Sequence, residues 1–123
     1  MIWDNRDRAR LFVVDANKSD YAELLLATAS LNTEVIFFQS GSAALRATPE
    51  VGPAMWIVNM RLPDMAGVEF KTLLRNRGNR SPLALVGDEY SVKDELAARV
   101  AGAEMYFAKS MVHEAILATV AAA

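Results

Sequence analysis

Short apolar runs alternate with amphipathic stretches along the whole of this 123-residue chain, and that alternation leaves few folds open to it. Leu11 to Val14 reads as a first strand closed by Asp15, followed by a helix from about Ser19 to Ser30 with Leu24, Ala27 and Leu31 on one face. Asp20 and Glu23 stand at capping-box spacing and support that start. Glu34 to Phe38 is the second strand and Gly41 to Arg46 a short second helix. Met55 to Val58 is the third strand, and Val68 to Arg75 lies in a helix whose core contacts are Val68, Phe70, Leu73 and Leu74. Leu83 to Val86 forms the fourth strand, between Pro82 and Gly87. A helix from about Val92 to Ala101 ends at Gly102, the expected place for a left-handed cap. Met105 to Ala108 is the fifth strand and Val112 to Val120 the last helix. Five strands and five helices in strict alternation fit an α/β, doubly wound, five-stranded parallel sheet in the order 2-1-3-4-5.

The length suits one domain, residues 1–123, with a core that needs neither disulfides nor a structural metal. The chain has no cysteine, so thiolate chemistry and thiolate metal sites are excluded, and the cytoplasm is the default compartment. The start mixes both charge signs ahead of a short apolar run, unlike a signal peptide, and no apolar stretch approaches the ~20 residues that span a bilayer. Thirteen Lys and Arg against fifteen Asp and Glu leave a net charge of −2, which gives no general drive towards nucleic acid. Arg75, Arg77 and Arg80, with Lys71 one turn back, make a small basic cluster that fits the carboxyl end of a helix dipole.

Open α/β sheets place their chemistry at the carboxyl ends of the strands, and right-handed crossovers bring those ends to one edge. The residues waiting there are Asp15, Ala16, Asn59, Gly87, Asp88 and Lys109. Asn59 decides much of what this edge can do, because an amide is uncharged and lacks the nucleophilic oxygen of a carboxylate. Lys109 reads as an ion pair with Asp15, shared with Asp88. His113 stands without a second His or Cys, which is the pattern of a solvated or packed histidine.

Four landmarks in order, Phe-Val-Val-Asp at 12–15, Asn59 through Leu-Pro-Asp-Met-Ala-Gly67, Pro82 to Val86, and Ala-Gly-Ala-Glu-Met-Tyr-Phe-Ala-Lys at 101–109, resemble a response-regulator receiver domain of two-component signalling. The resemblance implies the flavodoxin-like receiver architecture and a phosphorelay role in which a histidine kinase phosphorylates an aspartate at position 59. It also implies Mg²⁺ held by acidic side chains and a backbone carbonyl, a hydroxyl near position 87 and a lysine near position 109 to balance phosphoryl charge. Compared residue by residue, Asp15 and Lys109 match. Ala16 replaces the second acid, Asn59 the acceptor, Gly87 the switching hydroxyl and Ser110 the usual proline, while Asp88 adds a negative charge. The pattern is that of a degenerate receiver, a pseudo-receiver that is not an enzyme and uses no cofactor or metal.

On this resemblance the surface of the fourth helix, fifth strand and fifth helix mediates dimers and output contacts, and it carries Lys93, Asp94, Arg99, Tyr106, Met111 and Glu114. Without a hydroxyl at 87, Tyr106 reads as a fixed surface or interface aromatic. The leading expectation is a phosphorylation-independent module that binds a protein: a histidine kinase, an output domain, a regulator, or a second copy. It neither enters membranes nor contacts nucleic acid directly. The alternatives are a working receiver that uses Asp15, Asp64 or Asp88 as acceptor, and a flavodoxin-like small-ligand binder. The latter lacks a donor-rich first loop, since Ala16-Asn17-Lys18-Ser19 offers few groups for a phosphate.

Overall fold

The computed structural model describes residues 9–29, 31–47, 54–112, 114–116 and 118. Strand β1 (Ala9–Val14) leads through a tight 3₁₀ turn (Lys18–Tyr21) into α1 (Ala22–Thr28), and β2 (Thr33–Phe38) is followed by α2 (Gly41–Arg46). Then come β3 (Ala54–Asn59), α3 (Gly67–Asn76), β4 (Leu83–Gly87), α4 (Val92–Val100), β5 (Met105–Ala108) and a second 3₁₀ turn (Lys109–Met111). Residues 112, 114–116 and 118 are helical and belong to α5. The strands are all parallel, in the order β2-β1-β3-β4-β5.

The sequence of each strand explains why helices cover both faces. In β1, Leu11 and Val13 face one way and Phe12 and Val14 the other, as the two-residue period of a strand requires, and all four are buried. Phe12, Val14, Trp56, Val58, Leu83 and Leu85 pack with Ala44, Leu45, Phe70, Leu74 and Ala98 from α2, α3 and α4. On the other face Leu11, Val13, Ile57, Ala84 and Val86 pack with Tyr21, Leu24, Val112 and Ile116. Trp56 is the hub of the first layer, with ring centroids 4.7 Å from Phe12 and 5.5 Å from Phe70. Each such pair adds about 0.5–1.5 kcal/mol beyond the area it buries.

Two expectations change. The first helix starts at Ala22 rather than Ser19, and Tyr21, its N-cap residue, makes no side-chain cap. Asp20 is therefore not a capping residue; its carboxylate is drawn to Lys109 instead, where a full charge outweighs a helix-end amide. Nor is the basic cluster simply a charged helix end: Arg75 donates to the carbonyls of Asn79 and Ser81, and Arg77 to that of Leu45. Gly102 takes φ +79°, the left-handed conformation that closes α4. Ser30, His113 and the end of the Ala-rich tail lie outside the described residues.

Candidate functional site

The register aligns the strand ends, with Val14 opposite Phe38 and Val58, Asn59 opposite Val86, and Gly87 opposite Ala108. Asp15 follows β1 directly and is 2% exposed. Its Oδ1 accepts from the Asn17 N–H at 3.0 Å, a local turn that asparagine and aspartate favour. Its Oδ2 accepts from the Tyr21 hydroxyl at 2.8 Å and from Asn59 Nδ2 at 2.9 Å, and lies 2.9 Å from Lys109 Nζ. A carboxylate buried this deeply needs such a set of partners. Burial, with Asp15 alongside, drives the Tyr21 pKa far above the ordinary phenol value.

Asn59, 4% exposed, uses both ends of its amide. Oδ1 accepts from the Arg61 N–H at 2.8 Å, while Nδ2 donates to Asp15 and, at 3.3 Å, to Asp88 Oδ1. Lys109 Nζ lies 2.7 Å from Asp20, 2.9 Å from Asp15 and 2.9 Å from Asp88. Burial works against the Lys109 charge, but the hydrogen bonds to Asp20, Asp15 and Asp88 outweigh it and hold its pKa above the ordinary lysine value. Asp88 is held below the usual carboxylate range, first by its bond to Lys109.

These shifts fix the direction of a pH effect. The lowered pKa of Asp88 contributes stability above the unfolded value of about 3.9, which is lost as pH falls through the folded value. The raised pKa of Lys109 contributes stability below about 10.4, which is lost as pH rises through its folded value. The urea midpoint is expected to be flat near neutrality and to fall below about pH 4, with a shallower acid limb in Asp88→Asn. Because Asp88 is 72% exposed, salt should weaken its share.

Above Gly87 the space is filled from elsewhere. A Cβ at position 87 would stand 2.8 Å from the Tyr106 hydroxyl and 3.0 Å from the Glu89 carbonyl. Tyr106 is thus not a plain surface aromatic: it is half-buried, packs against the core, and its hydroxyl accepts from the Ser91 N–H at 3.2 Å. Gly87→Ala is expected to push the Tyr106 ring outward, because the end of a side chain yields more readily than backbone. The Tyr106 ring and Ser91 amide resonances should both move, and unchanged shifts would contradict the contact.

Asp94 also departs from expectation. It sits on α4 but is 7% exposed, because both carboxylate oxygens take hydrogen bonds from Arg61, at 2.9 and 3.1 Å. It is not available as an outward-facing contact. Lys93, Arg99, Met111 and Glu114 are exposed, with Arg99 paired to Glu95 one turn back. Ala16 is exposed and its methyl brings no donor. Asp64 accepts from the N–H groups of Gly41 and Ser42 at 3.0 and 2.8 Å, so it caps α2. Bonds from Ser42 hold its pKa low.

The Mg²⁺ that this fold family implies does not fit these residues. Ala16 supplies no ligand, the Asn59 Nδ2 points at the carboxylates, and the Lys109 ammonium is paired with the carboxylates of Asp15 and Asp88. Among the described residues no group of three or more His, Cys, Asp or Glu is arranged to hold a metal. Beside the cluster lies a groove of about 450 Å³ bordered by Asn17, Asp20, Glu23, Asp88 and Lys109. Its acids carry the wrong sign for a flavin phosphate.

Sequence reasoning missed three members of the site: Tyr21, the role of Asp20, and Arg61. For Arg61 a signal existed, a long cation two residues beyond the key amide. Tyr21 and Asp20 lie in what reads as the first helix and come into reach only because that turn is wound tightly.

A parallel 2-1-3-4-5 sheet with helices on both faces and a buried acid–lysine cluster at its carboxyl edge defines a receiver-type domain. The family model for the response regulator receiver domain matches residues 11–121, and the chain belongs to that family. It is 31% identical over 113 residues to the transcriptional regulatory protein PrrA of Mycobacterium bovis, a match covering 92% of this chain and 48% of that protein, and the same figures hold for PrrA of Mycobacterium tuberculosis. The chain thus spans about half the length of the curated relatives it matches. Similar folds include the signal receiver domain of an HD domain-containing protein from Pseudomonas fluorescens, with TM-score 0.78 and 19% identity over 94% of this chain and 85% of that one. Another is the chemotaxis response regulator CheY4 of Vibrio cholerae, with TM-score 0.75 and 22% identity over 92% and 96%. Among the described residues no helix is long and apolar enough to cross a membrane.

Proposed function

We propose that this single receiver domain acts in two-component signalling without aspartyl phosphorylation, as a cytoplasmic, non-catalytic module that binds another protein. The observation that carries the reading is the internal closure of its polar edge. The Asn59 amide donates to both Asp15 and Asp88, and Lys109 is shared among three carboxylates, so the groups that would receive a phosphoryl group and a metal are already engaged with each other. The partner is a histidine kinase, an output domain or a regulator. Contact through α4, β5 and α5 uses the exposed Lys93, Arg99, Met111 and Glu114, and a homodimer through that face is the form to look for by sedimentation. A monomer at high concentration would count against it.

A second reading, in which Asp88 accepts the phosphoryl group, has the 72% exposure of its side chain in its favour. Asp15 and Asp64 are poorer candidates, since backbone or side-chain donors engage both oxygens of each. Intact mass after incubation with acetyl phosphate and Mg²⁺ decides between the two readings. The protein should gain no phosphoryl mass, whereas Ala16→Asp/Asn59→Asp/Gly87→Thr should gain one. A phosphoryl adduct on the unaltered protein would overturn the proposal.

A further inference from the structure

The loop between α3 and β4 is built as a rigid basic knob. The N–H groups of Arg77, Gly78 and Asn79 donate back to the carbonyls of Leu74, Arg75 and Leu74, and Gly78 takes φ +86° to turn the chain. Beneath it the Arg75 side chain, 14% exposed, donates to the carbonyls of Asn79 and Ser81 and pairs with Glu104. Arg77 reaches the Leu45 carbonyl at the end of α2, next in the chain to Arg46. Arg46, Arg77 and Arg80 are exposed, and among the described residues none of the three is paired with a carboxylate. Glu34, at the same edge of the sheet, stands opposite Arg10.

The opposite edge carries the opposite sign. The side chains of Asp20 and Asp88 are 43% and 72% exposed, and each turns one oxygen to Lys109. Their other oxygens, Asp20 Oδ1 and Asp88 Oδ2, accept no hydrogen bond among the described residues and border the groove of about 450 Å³. The cations nearby are engaged: Lys109 with three carboxylates, Arg61 with Asp94, and Lys18 over the Phe37 ring. A planar guanidinium fits such carboxylate oxygens better than any other side chain does. No molecule can bring its own two surfaces together, because Arg80 precedes β4 and Asp88 follows it, with five residues of strand, about 16 Å, between them.

We infer that copies of this chain associate head to tail, with the arginine loop of one molecule seated against the acidic groove of the next. The contact joins two different surfaces, so every pair leaves a loop unused at one end and a groove at the other, and the assembly continues as an open chain. Because the loop is fixed before contact, docking orders only the arginine side chains, which limits its entropic cost. The attraction is between exposed charges and is therefore weak and salt-dependent. It is separate from the contact proposed through α4, β5 and α5, which uses none of Arg46, Arg77 and Arg80, and it stands whether or not that contact forms.

Sedimentation at rising protein concentration, together with NMR on the full chain, tests this. At about 20 mM salt the average sedimentation coefficient should climb about 1.5-fold or more from dilute to millimolar protein, and at about 300 mM salt the climb should vanish or stop at a dimer. Arg46→Glu/Arg80→Glu removes no hydrogen bond among the described residues and should abolish the salt-sensitive part of the climb. When this variant is isotope-labelled and mixed at low salt with unlabelled, unaltered protein, its Asp20 and Asp88 amides should shift while its own residues 77–81 stay still, because it keeps the groove and has lost the knob. No growth beyond a dimer at low salt, growth that ignores salt, or a variant that grows like its parent would each overturn the proposal. Should the variant fail to fold, the unaltered protein decides: on concentration at low salt the amides of residues 77–81 must move together with those of Asp20 and Asp88, and movement of one set alone overturns the head-to-tail contact.

Discussion

Lys109→Met is expected to lower the unfolding free energy by about 3–5 kcal/mol, the usual cost of removing one partner from a buried ion pair. The substitution keeps the stem of the side chain but leaves Asp15, 2% exposed, without its cation and with Asp88 and Asp20 nearby. Tyr21 and Asn59 still donate to Asp15, which softens the loss without replacing a full charge. The urea midpoint should drop by about 1–2 M at neutral pH. The deficit should shrink as pH falls, since protonation of the orphaned carboxylates relieves it. Lys109→Met/Asp15→Asn should recover much of the difference. A midpoint unchanged in Lys109→Met would show that the cluster contributes nothing net.

Asn59→Asp should cost about 2–4 kcal/mol in the presence of a chelator, because two donated hydrogen bonds become contacts between like charges. The Arg61 N–H keeps an acceptor, so the loop itself is not the source of the loss. Millimolar Mg²⁺ should restore part of the stability in this variant, since Asp15 and the new acid then offer two hard carboxylate ligands. The unaltered protein should show no such response, read by the emission of the fully buried Trp56. A variant as stable as its parent without metal would show that the two bonds donated by the amide contribute nothing net.

The sheet was legible in the sequence because its central strands β1, β3 and β4 are buried on both faces and announce themselves as apolar runs between Pro, Gly and Asp. The second helix and fifth strand matched to the residue, and the other described edges shifted by a residue or two, except the start of the first helix, which moved by three. The first turn after β1 was misread, because a charge at position 109 competes for Asp20 and periodicity carries no trace of a partner 89 residues away. The cluster of Asp15, Asn59, Asp88 and Lys109 could be assembled from strand ends alone. What could not be read were directions: that Asp94 turns inward to Arg61, and that Tyr106 occupies the room Gly87 leaves. Both depend on angles at the β4–α4 junction, which no spacing rule encodes.

The segment between β3 and α3 is fastened along its length. Leu62 donates to the carbonyl of Met65, Gly67 to that of Met60, Arg61 bridges Ala66, Asp64 grips the start of α2, and Arg61 itself is tied at both its amide and its guanidinium. A protease must draw several residues into an extended strand before it cuts, and this loop has no slack to give. Trypsin should therefore spare the Arg61–Leu62 bond in the native protein although the arginine side chain is 69% exposed. First cuts after Arg61 in a peptide map would show the loop looser than its bonds require.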